Sequence, residues 1–140
     1  GPGAYTAPTG ADITLITAPA ISAGVFGVAG GFKAEVIGSN NNSASGKTTR
    51  FKLNSVNIGG ATTSTSTNNS QSITFQNGGA ANRNVVFFQN FGASAIGQAR
   101  SATTVDTSVA MTLVVAAQLA TVATDFVIVD TAIVKLLGNA

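Results

Sequence analysis

The sequence has no cysteine, no histidine and no tryptophan, and its single tyrosine is Tyr5. Without thiols there is no disulfide, no zinc–thiolate centre and no cysteine nucleophile. Without imidazole the commonest general base, the usual metal ligand and every histidine-dependent triad are gone. Charge is scarce as well. Asp, Glu, Lys and Arg make up 9% of the residues, against about 25% in an average domain. Long apolar runs are also missing. The strongest, Val109 to Ala123, is interrupted by Thr112, Gln118 and Thr121 and falls short of the ~20 residues that a membrane-crossing helix needs. Membrane insertion and a cofactor are therefore not expected.

What remains is a chain of 140 residues, 44% of them hydrophobic, the size of one domain. Scaling laws give a folded surface of about 6,700 Å² for this length. Mean hydropathy is positive although nothing spans a membrane. An apolar, charge-poor chain of this kind is expected to bury surface against copies of itself. Gly1-Pro2 reads as the scar of a cleaved expression tag, residues 1–11 as an N-terminal tail, and 12–140 as the single domain.

The net charge is +2, but Lys33, Lys47, Arg50, Lys52, Arg83, Arg100 and Lys135 are scattered. Only Lys47, Arg50 and Lys52 lie close together. A solvated strand face explains them better than a phosphate-binding strip, so no nucleic-acid partner is expected.

Helical periodicity is nearly absent, whereas short strand patterns recur between Gly, Asn and Ser clusters. Phe32, Ala34 and Val36 alternate with Lys33 and Glu35, and Phe51 and Leu53 with Arg50 and Lys52. The parity change at Asn54-Ser55 predicts a tight turn or bulge. Ile73 and Phe75 point inward, and Asn77-Gly78-Gly79 reads as a turn. Val85-Val86-Phe87-Phe88 does not alternate, as for a strand covered on both faces. Met111, Leu113 and Val115 alternate with Thr112 and Val114. The last strand region, Asp125 to Leu137, presents Phe126 and Ile128, then Ile133 and Leu136. Phe87, Phe88, Met111, Leu113, Val115, Phe126 and Ile128 form the expected core. About eight strands with turns every ten to fifteen residues predict an all-β antiparallel sandwich or barrel.

The C-terminal half carries a resemblance. Val105-Asp106-Thr107-Ser108 leads into Met111-Thr112-Leu113-Val114-Val115-Ala116-Ala117-Gln118, and Asp125-Phe126-Val127-Ile128 into Ala132-Ile133-Val134-Lys135-Leu136-Leu137. This resembles a module at the C-terminus of many bacteriophage virion proteins. Thr17 to Gly24 and Thr49-Arg50-Phe51-Lys52-Leu53 are similar to its opening turn and central strand. The resemblance covers most of residues 12 to 137 as a pattern of strands, without the tryptophan the family often has. It implies a jelly-roll β-sandwich of the tumour-necrosis-factor type that forms a homotrimer on the particle exterior. Tail fibres, tail spikes, head fibres and decoration proteins are built this way, with other virion proteins as further partners.

The candidate chemistry is thin. The acids Asp12, Glu35, Asp106, Asp125 and Asp130 show no spacing suited to a glycosidase pair or a calcium loop, and Asp106 most simply caps a turn. A serine nucleophile would need a lysine base. No catalytic or metal-binding residue is expected. The uncharged loops Ser39–Ser45 and Thr62–Gln71 are the binding candidates. Their amides, Asn40, Asn41, Asn42, Asn68 and Asn69, suit sugar hydroxyls, which makes a host-surface carbohydrate the expected small partner. The phenylalanines read as core, leaving little for a stacking platform. A carbohydrate-binding module is the alternative function, and a capsid shell or fimbrial subunit a further one.

Overall fold

A computed structural model of the chain describes residues 4–5, 10–91, 97–120 and 125–138. Ten strands run in chain order: β1 (Ala4–Tyr5), β2 (Asp12–Thr17), β3 (Gly31–Asn40), β4 (Lys47–Leu53), β5 (Val56–Thr63), β6 (Gln71–Ala80), β7 (Arg83–Asn90), β8 (Gly97–Thr103), β9 (Leu113–Leu119) and β10 (Val127–Leu137). No helix occurs among the described residues. The strands form two antiparallel sheets, ordered β1-β10-β3-β6-β7-β8 and β2-β9-β4-β5.

The connectivity is that of a jelly roll. Its pairs are nested: β1 with β10, β2 with β9, β3 with β6, and β4 with β5 at the centre. One long antiparallel ribbon is thereby rolled into two layers. The β7–β8 hairpin extends the larger sheet beyond that ribbon.

The alternating segments form as their patterns predict. Phe32, Ala34 and Val36 of β3, Phe51 and Leu53 of β4, Ile73 and Phe75 of β6 and Met111, Leu113 and Val115 all enter the core. Phe32 and Phe75 stack with centroids 5.2 Å apart, Phe26 leans on both, and Phe51 meets Phe88 edge-on. Asn54 and Ser55 both have positive φ, the twist of a two-residue hairpin turn matched to its strands.

Several expectations need correction. Phe87 is 40% exposed while Val86 and Phe88 are buried, so the Val85–Phe88 run alternates and only one face of β7 is covered. Phe126 and Ile128 are only half-buried, and Val127 and Val129 take the core positions. A bulge at Asp130 then shifts the register between Val129 and Thr131. After it, Ala132, Val134 and Leu136 lie opposite the inward-facing Val36, Ala34 and Phe32. Asn77-Gly78-Gly79 is not the hairpin turn. These residues form a bulge, with Gly79 at φ 97°, and Ala80 pairs with Arg83 across a two-residue turn. Phe26, in a glycine-rich stretch without strand signal, is fully in the core.

The accessible surface is 6688 Å², the value ordinary for this length. The excess of apolar residues is therefore not hidden by unusual compactness, and part of it lies on the surface.

Candidate functional site

The amides chosen from the sequence fall into two groups. Asn40 and Asn69 are buried. Asn40 Nδ2 donates to the Ser66 carbonyl at 2.7 Å, and its Oδ1 accepts from Thr63 Oγ1. Asn69 Nδ2 donates to Thr49 Oγ1 at 2.6 Å, and its Oδ1 accepts from Gln71 Nε2. Asn41 clamps the start of the last strand, donating to Asp125 Oδ1 at 2.8 Å and accepting from the Phe126 amide at 2.9 Å. Asn68 is exposed, but its Oδ1 accepts from the Ser70 amide and hydroxyl and its Nδ2 donates to the Phe91 carbonyl. Asn42 is exposed. The loops thus use most of these groups to hold their own backbone, as buried polar groups must be paired.

The charges behave similarly. Lys47 is fully buried on the inward face of β4. Its Nζ donates to Ser43 Oγ at 2.7 Å and to the Ser45 carbonyl at 2.8 Å, and the Ser43 hydroxyl donates to Asp125 Oδ1 at 2.9 Å. This is a lysine–serine contact, but its polarity is wrong for a nucleophile. The ammonium points at the serine oxygen and the serine proton is held by a carboxylate, whereas an activated serine needs a neutral amine as proton acceptor. The Asn41 amide and the Ser43 hydroxyl hold the Asp125 carboxyl below the usual range against the cost of burial, with help from the Lys47 charge. Asp125 Oδ2 is buried and has no hydrogen-bond partner among the described residues.

Arg50 and Lys52 do not form a free basic strip with Lys47, because both bond Asp12, Arg50 at 2.7 Å. Partial burial works against the Asp12 charge, but the hydrogen bonds from Lys52 and Arg50 outweigh it and lower its pKa. Asp106 accepts from the Ser108 hydroxyl and amide, the turn cap its position suggests; these two bonds lower its pKa. Among the described residues no three acidic side chains gather in one place.

What stands out instead is apolar surface that the sandwich leaves open. Beyond its short pairing with β1 at Val127 and Ile128, the outer edge of β10 is unpaired among the described residues. Ile133, Val134 and Leu136, on this edge, are 54%, 40% and 52% exposed. The other sheet presents its own edge, β2, on the same side. A groove of about 270 Å³ runs between them, lined by Ala18, Pro19, Ile21, Val25, Val134 and Leu136. A smaller apolar cleft continues it past Ile16, Ala132 and Ile133 towards the core.

No family model, curated protein or solved structure matches this chain.

The apolar seam is thus a feature of this chain read on its own terms. The strand pattern picks out Ile133 and Leu136 among the apolar residues of this last strand. Leu136, like Val134, is turned inward and is exposed because the four-stranded sheet ends at β2 and leaves the far half of β10 uncovered, whereas Ile133 lies opposite Glu35 on the outer face.

Proposed function

We propose that the chain is a non-enzymatic structural module of a bacteriophage virion, part of a fibre, spike or head appendage on the particle exterior, and that it works by assembling as a homotrimer. The observation that carries this reading is the seam between β2 and β10. A long, apolar, unpaired edge strand invites pairing with another chain, and proteins that leave one bare aggregate. Closure of the seam by a neighbouring copy removes Val134, Leu136 and Val25 from water together. The Asp130 bulge and Lys135 on the same strand are devices that oppose open-ended strand addition, which favours a closed ring over a filament. The three-fold order and the virion setting rest on the resemblance of the strand pattern to phage modules.

Light scattering over a dilution series tests this. The expected species has three times the 13.9 kDa chain mass. Leu136→Glu and Val134→Glu should each give a folded monomer, because both side chains are already partly exposed and tolerate a charge once separated. A wild-type monomer at all concentrations, or open polymers, would sink the proposal.

A further inference from the structure

The outer face of the six-stranded sheet carries a second surface, of different chemistry. Its middle strand, β6, turns Ser72, Thr74 and Gln76 to the outer face, with Ser72 buried at the floor between its neighbours, Thr74 half-buried and Gln76 exposed. Neighbouring β3 points Lys33, Glu35 and Ile37 to the same side, and β7 points Phe87 and Gln89, with Phe91 next in the alternation. Short side chains between two rows of long ones make a trough running along β6. Its upper part is a cavity of about 230 Å³ lined by Glu35, Ile37, Ser70, Ser72, Gln89 and Phe91.

Two phenyl rings stand on one wall, Phe87 40% and Phe91 37% exposed. Four residues of extended chain separate them by about 13 Å. The main chain of Phe91 is fixed on both sides, its amide bonded to the Ser70 carbonyl and its carbonyl to Asn68 Nδ2, each at 2.9 Å. The opposite wall carries the Lys33–Glu35 ion pair at 3.4 Å. At the lower end Lys135 lies opposite Lys33, and Arg100 opposite Phe87. Neither Lys135 nor Arg100 has an ion-pair partner among the described residues.

We propose that this trough binds a linear acidic oligosaccharide. A sugar ring offers a C–H face to a phenyl and a rim of hydroxyls to amides, carboxylates and serines. Rings spaced along one wall with a hydroxyl-rich floor match that alternation. The unpaired cations set the preference for acidic sugars and raise their encounter rate. A protein partner fits less well. The centre of a protein interface is depleted of Lys, Glu and Ser, and those residues occupy the middle of this face.

The test is calorimetric titration and amide-shift mapping of the intact protein with oligogalacturonate and oligosialic acid of four or more units, with maltohexaose as the neutral control. Saturable binding of at least one acidic chain is expected, with shifts centred on β6 and β7. Phe87→Ala and Phe91→Ala should each weaken it roughly ten-fold. Arg100→Gln should weaken it and flatten its salt dependence, and Val56→Ala, exposed on the other sheet, should leave it unchanged. The proposal is overturned if neither acidic chain binds with a Kd below about 1 mM, if Phe87→Ala and Phe91→Ala both bind as wild type, or if either substitution lowers the assembly mass, which would make the trough a protein interface. The mass measurement is independent of the titration, so a failure here leaves the seam reading standing, and the reverse.

Discussion

Replacing Asn77 with alanine should destabilise the protein by about 3 kcal/mol, although Asn77 touches no ligand and lies in what reads as a turn. The side chain is buried. Its Nδ2 donates to the Gly27 carbonyl at 2.8 Å and to Thr107 Oγ1 at 2.7 Å, and its Oδ1 accepts from Asn84 Nδ2 at 2.8 Å. The chain of bonds continues from Thr107 to the Ala81 carbonyl and from Thr103 to Asn84 Oδ1. Alanine removes three bonds and strands three partners, Thr107 and Asn84 buried and the Gly27 carbonyl partly so. At roughly 1 kcal/mol for each, the sum is about 3 kcal/mol, and it rises if no water enters to satisfy them. For a domain of this length that lowers Tm by about 10 °C. Scanning calorimetry at one fixed protein concentration measures it, since the proposed association would itself add to the stability. Asn84→Ala breaks the same Asn77–Asn84 bond, so the double variant should lose less than the sum of the two singles. Asn42→Ala, on an exposed residue, should stay within about 0.5 kcal/mol of wild type. If Asn77→Ala behaves like Asn42→Ala, the buried amides are not what ties these loops to the core.

Two further outcomes follow from other parts of the structure. Asp125 has a lowered folded-state pKa, so its stabilising contribution is complete above the unfolded-state value and fades as pH falls through the lower folded one. Asp125→Asn should therefore reduce Tm at pH 7 and narrow the difference in Tm between pH 7 and pH 3; an unchanged difference would show that Asp125 is not a source of the acid sensitivity. Gly31→Ala should lower Tm by more than any surface substitution, because a Cβ there would lie 1.9 Å from the Phe75 carbonyl oxygen and force β3 away from β6; a wild-type Tm would refute the close approach of these two strands.

The legible part of the fold was the part where one face meets water and the other the core throughout. β3 and β4 alternate cleanly. Legibility failed where tertiary layout decides exposure. Val85 to Phe88 is apolar at four successive positions, and Phe87 is an outside residue because it lies on the outer face of the six-stranded sheet while Val86 and Phe88 face the core. In β10 one bulged residue, Asp130, reverses the parity, and nothing in the local sequence announces a bulge there. Phe26 sits among glycines, so its burial depends on Phe32 and Phe75 from distant strands. The asparagines are the clearest case for the candidate sites. Composition identifies their amides as hydrogen-bonding groups but not their partners, and Asn40 and Asn69 find those partners inside the protein. Phe87 and Phe91 carried no signal of exposure beyond the alternation of β7 itself.

The nested pairing of the strands also imposes a sequence of events in time. Of the nested pairs, the β4–β5 hairpin closes over only two residues, Asn54 and Ser55, and is the cheapest to form. Each outer pair must close a longer loop, and the entropy of closure is lost before its contacts form. Folding should therefore zip outward from β4–β5, with β1 meeting β10 last, and pulsed hydrogen exchange should find amides of β4 and β5 protected before those of β10. The strand that completes the roll is the one bordering the seam. A chain that has not finished folding has no finished seam, so for the assembly proposed above the order of closure would act as a checkpoint that delays association until the fold is whole.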